Sequence, residues 1–102
     1  MPRTADEIAH TDEIATDIGY VDPPAHLAPT GKIYEDRTWE ALVDWFDDHT
    51  KSFGSAVLVY ISRRWDTPTS DAYVLTDNWM KAQHRRKDIE SDPEGVEHAY
   101  GN

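Results

Sequence analysis

The sequence predicts a small single-domain α+β fold: an N-terminal helix, a core amphipathic helix packed on a short antiparallel β-hairpin, and a C-terminal helix. Three observations predict it. Residues 38–53 carry apolar side chains at helical spacing. Residues 55–65 form a short β-branched and aromatic run. Turn chemistry then separates that run from a second one at 72–76.

In chain order, Thr4-Ala5-Asp6-Glu7 has the form of a capping box, Thr4 as N-cap and Glu7 reaching back to it. The helix it opens is expected to run to Ile18, with Gly19 as its stop. Ala5, Ile8, Ala9, Ile14, Ala15 and Ile18 cover one broad side, and Asp6, Glu7, His10, Glu13 and Asp17 the other. A face of small and aliphatic side chains without an aromatic suits another helix, so residues 1–19 read as a helical arm. The opening Met-Pro-Arg-Thr-Ala-Asp-Glu-Ile resembles that of some small actinobacterial antitoxin-like proteins. The likeness covers this stretch alone and implies no functional residue.

Residues 20–31 hold Pro23, Pro24, Pro29 and Gly31 and read as an extended linker. The α+β core is expected over 32–90, beginning with a short edge strand at 32–36. In the core helix, Trp39, Leu42, Val43, Phe46 and Phe53 share one side, and Glu40, Asp44, Asp47, Asp48 and Lys51 the other. Asp36 or Thr38 can cap it, and Gly54 stands where a helix stop is expected. In the next run Val57, Val59 and Ile61 alternate with Leu58, Tyr60 and Ser62. Both faces are apolar, which predicts a central strand. Asp66-Thr67-Pro68-Thr69-Ser70-Asp71 supplies the hairpin turn and 72–76 the second strand. Good helix formers after Asp77 predict a helix over 77–87, with a continuing strand as the rival reading. Residues 91–102 read as an acidic tail.

Composition narrows the functions. The chain has 102 residues, enough for one domain, and a formal net charge of −10 from 20 acidic and 10 basic residues. Such a balance disfavours nucleic-acid backbones and anionic membranes. It fits a solubilising surface, as in a salt-adapted host, an acidic face that meets a basic partner, or mimicry of nucleic-acid phosphates. Cysteine is absent, which excludes thiolate chemistry and disulfides. No apolar run approaches the length of a membrane span, and the first residues lack the apolar core of a signal peptide, so a cytoplasmic location is expected. His10, His26, His49, His84 and His98 show no ligand spacing, so no metal or cofactor is expected. There is no glycine-rich phosphate loop, nucleophile elbow or His-Glu-x-x-His.

These features predict a non-enzymatic acidic protein-interaction module that occupies a partner's surface, as an inhibitor, antitoxin or phage-type accessory protein does. The candidate contacts are Asp44, Asp47 and Asp48 for a basic partner, and Ile8, Ile14 and Ile18 for an apolar groove. A second reading is nucleic-acid binding through Arg63, Arg64, Trp65, Arg85 and Arg86, where basic residues stand beside an aromatic. The same basic residues could instead meet the acidic face of a second copy in a homodimer. A third reading is a small carboxylate-dependent hydrolase.

Overall fold

The structure, a computed structural model, describes residues 3–31 and 37–91, with the side chains of the last helix described as far as Arg85. The edge strand expected at 32–36, and the tail beyond Ser91, lie outside the described residues. Among the described residues the secondary structure is helical throughout: α1 (Ala5–Ile18), α2 (Thr38–His49), α3 (Phe53–Arg64) and α4 (Thr69–Ser91), with one 3₁₀ turn at Ala25–Leu27. The described residues therefore form an all-α arrangement, and the α+β hairpin expectation is overturned, since the hairpin residues are helical.

The correction centres on α3. Residues 56–62 are buried without a break, because α1, α2 and α4 each pack on this helix. A helix covered on all sides has no polar face, so its apolar residues show no helical period. Residues 57–61 then satisfy a two-residue alternation equally well, and the β-branched Val57, Val59 and Ile61 favour the strand reading. The helix start is written instead in Ser52, whose Oγ accepts the Ser55 N–H at 3.3 Å. Accordingly α2 ends at His49, and Gly54 is the second residue of α3 rather than a stop. Its φ is not positive; among the described residues the left-handed non-glycine residue is Asp66, at φ 47° in the α3–α4 corner.

The second strand and the C-terminal helix are one continuous helix, α4. As far as Arg85 its buried residues are Ala72, Thr76, Trp79 and Gln83, a helical stripe in which two members are polar. Thr76 hides its hydroxyl by donating to the Ala72 carbonyl at 2.7 Å. A Cβ added at Gly54 would lie 4.0 Å from the Met80 methyl, so residue 80 stands level with the start of α3. The remainder, residues 81–91, overshoots α3 by about 16 Å at ~1.5 Å per residue.

The capping box of α1 is present, and Gly19 closes the helix in the left-handed conformation at φ 69°. Ile18 enters the core, Ile14 packs against it, and Pro29 of the linker is buried and accepts from the Tyr60 hydroxyl at 3.4 Å. The core's aromatic hub is Trp39. Its ring lies 5.3 Å from Trp79, 5.9 Å from Tyr60 and 6.1 Å from Trp65. The Trp39 and Trp79 indole N–H groups have no hydrogen-bond partner among the described residues, so dispersion and ring quadrupoles hold this cluster.

Candidate functional site

The helices place the three groups of expected contact residues very differently. Asp44, Asp47 and Asp48 are exposed on α2, and none forms a hydrogen bond or ion pair with a described residue. Glu40, Asp44 and Asp47 share one stripe, since at about 100° per residue Asp47 returns to within ~20° of the Glu40 direction. Behind them Trp39, Leu42 and Phe46 hold α2 against the core with no exposed surface to speak of.

The arm residues do not form one free face. Ile18 is buried, Ile14 is partly buried, and Ile8 is exposed at 40 %. Polar contacts tie α1 to the α3–α4 corner. Glu7 Oε1 accepts the Thr4 N–H at 3.2 Å, and Glu7 Oε2 accepts the Thr69 N–H at 2.9 Å, capping α4 as well as α1. These N–H donors, Thr4 first, hold the Glu7 carboxyl below its ordinary pKa. Arg3 Nε donates to Asp66 Oδ1 at 3.1 Å, and Arg3 Nη1 to the Thr11 hydroxyl at 3.3 Å.

The basic residues are divided. Arg63 pairs with Asp12 at 2.7 Å and lies 5.2 Å from the centre of the Tyr20 ring. Arg64 covers the Trp65 ring at 5.6 Å, and Trp65 in turn packs on Trp39 and Tyr60. Arg85 is exposed far along α4, about 24 Å from Thr69 at ~1.5 Å per residue. The Arg86 side chain lies outside the described residues. Arg63 and Arg64 thus sit by the corner, and Arg85 toward the opposite end. Burial pushes the Tyr20 hydroxyl well above the ordinary tyrosine range and raises Tyr60 too.

One feature escaped the sequence reading. A cavity of about 160 Å³ opens between α2, the start of α3 and α4. It is lined by Glu40, Val43, Phe53, Trp79, Met80, Gln83 and His84. Its walls are apolar and aromatic, and its polar groups sit on the α2 and α4 sides. A helix over 77–87 already puts Trp79, Met80 and Gln83 on one side, but nothing in the sequence shows that Glu40, Val43 and Phe53 face them across a gap.

Among the described residues no group of three or more His, Asp or Glu is placed to hold a metal ion. No helix among them is long and apolar enough to cross a membrane. Compared with known proteins, the chain matches no family model, no curated protein and no solved structure.

Proposed function

We propose that this protein is a non-enzymatic interaction module that presents the acidic face of α2 to a basic surface of a partner protein, in the manner of an inhibitor or antitoxin. The supporting observation is that Asp44, Asp47 and Asp48 stand exposed, without a partner among the described residues, on a helix whose other side is fixed in the core. A rigid backbone presents these charges at fixed spacing, so little order is lost on association. Charge of this kind steers a basic partner and sets register.

Nucleic-acid binding through Arg63, Arg64, Arg85 and Arg86 has less support. Arg63 is engaged by Asp12, and the two groups are separated along the molecule. The hydrolase reading needs two carboxyl groups flanking a substrate, and among the described residues the cavity wall carries one, Glu40.

The test is capture from host extract at low and then high salt, with wild type beside the Asp44→Asn, Asp47→Asn, Asp48→Asn triple variant. A protein held by wild type and released by the triple variant and by salt supports the reading. Equal capture by both overturns it.

A further inference from the structure

The cavity and the acidic stripe meet at Glu40, which lines the cavity and begins the stripe that Asp44 and Asp47 continue. A volume of about 160 Å³ matches the roughly 150 Å³ apolar cavity that accepts a benzene ring. It falls below the ~300 Å³ at which pockets for drug-sized ligands begin. Phe53 and Trp79 offer ring faces and edges, and Met80 offers a thioether, the surfaces that favour another flat ring. The mouth lies beside negative charge, which repels an anionic ligand and favours an aromatic group with cationic neighbours.

We infer that the cavity receives one aromatic side chain of a basic partner helix, whose Lys or Arg residues one and two turns from that ring meet Asp44 and Asp47. The inference rests on the acidic-face reading and adds its anchor. Along α2, Asp44 and Asp47 stand about 6 and 10 Å from Glu40 at ~1.5 Å per residue. A helix laid along α2 repeats those intervals with a ring at position i and cations at i+4 and i+7. Interfaces of this sort draw most of their binding energy from one aromatic seated in a pocket, with charges at the rim setting register. Among the described residues a second copy of this chain does not supply the pattern: the exposed Tyr73 of α4 is followed one turn later by Asp77, which has the wrong sign.

The test titrates the isotope-labelled full chain at low salt with helical synthetic peptides, read by NMR. One peptide carries Phe at i and Arg at i+4 and i+7; a second replaces Phe by Ala; a third replaces both Arg by Gln. The first is expected to shift Phe53, the Trp79 indole N–H and the Met80 methyl. The Ala peptide should bind roughly tenfold or more weakly, keeping shifts at Asp44 and Asp47 while losing those in the cavity. Val43→Phe, which fills the cavity, should abolish the ring-dependent shifts; if that variant does not fold, the peptide series alone decides. Equal affinity of the Phe and Ala peptides overturns the anchor and leaves the acidic-face reading standing. Equal affinity of the Arg and Gln peptides overturns the cationic flank, and the acidic-face reading with it. Absence of cavity shifts with every peptide overturns the inference, and host capture then judges the acidic face separately. N-acetylphenylalaninamide binding as tightly as the first peptide would mean a site for a free aromatic molecule, which also overturns it.

Discussion

The two flanks of α3 are built from different chemistry. On one side α1 is held by Ala15, Ile14 and Ile18 together with a set of polar contacts: Glu7 to Thr69, Arg3 to Asp66, Arg63 to Asp12. On the other, α2 and α4 meet α3 through Trp39, Phe46, Tyr60 and Trp79, nearly all of them fully buried. Polar contacts at a surface fix orientation and add little stability, typically below about 1 kcal/mol for an exposed ion pair. Buried rings contribute several times that. The aromatic flank should therefore set the stability of the domain, and the polar flank should set where α1 lies and how it responds to pH.

The largest test of that contrast is Trp39→Ala. Removing the hub ring leaves a void against three other rings and should cost about 3–5 kcal/mol, enough to unfold much of a domain this size. Urea denaturation followed by circular dichroism checks it; a loss under ~1 kcal/mol would show that the rings are not the principal support.

A smaller effect of opposite sign is expected from Gly54→Ala. The position is helical, and the new Cβ would make an ordinary contact with the Met80 methyl at 4.0 Å. The helix gains about 0.5–1 kcal/mol in propensity, so the denaturation midpoint should rise. A fall would mean that the aromatic flank is already too tight to accept a methyl group.

The smallest effect, but the most telling for the other flank, is Glu7→Gln. The folded-state pKa of Glu7 is lowered, so its stabilising contribution is present above the unfolded carboxylate pKa and is lost as pH falls through the folded value. Wild type should be the more stable at neutral pH. The difference should close as acid protonates Glu7, with earlier hydrogen exchange at the Thr69 amide. A gap that stays constant from neutral to acid pH would assign the effect to shape rather than charge.

Much of α1 and α2 was legible because each has a wet side. Thr4 and Glu7 announce one helix, and the alternation of Trp39, Leu42 and Phe46 with Glu40, Asp44 and Asp47 announces the other. The exposure of the acidic face could be read for the same reason. α3 could not, since burial on every side erases the period that reveals a helix. α4 was legible in its second part, where good helix formers over 77–87 announce a helix that the structure contains, but not over 69–76, since Thr76 occupies a buried position and Pro68 sits in a stretch that also suits a hairpin loop. The cavity was not legible because it needs the start of α3 to be a helix and to lie beside α2 and α4. The separation of Arg63 and Arg64 from Arg85 likewise appears only once α4 is one rod.

The central place of α3 also bears on how the chain reaches its fold. Residues 50–52 and 65–68 join α2, α3 and α4 by short turns, so these three helices can find one another by local closure. α1 has no such neighbour and must close across the linker and the whole of α2. During synthesis α1 and α2 emerge before α3, each with an apolar side that packs on it. Without α3 these two amphipathic segments, each at or below the length at which a helix is stable alone, have no common core, and α3 is the element that joins them into a domain.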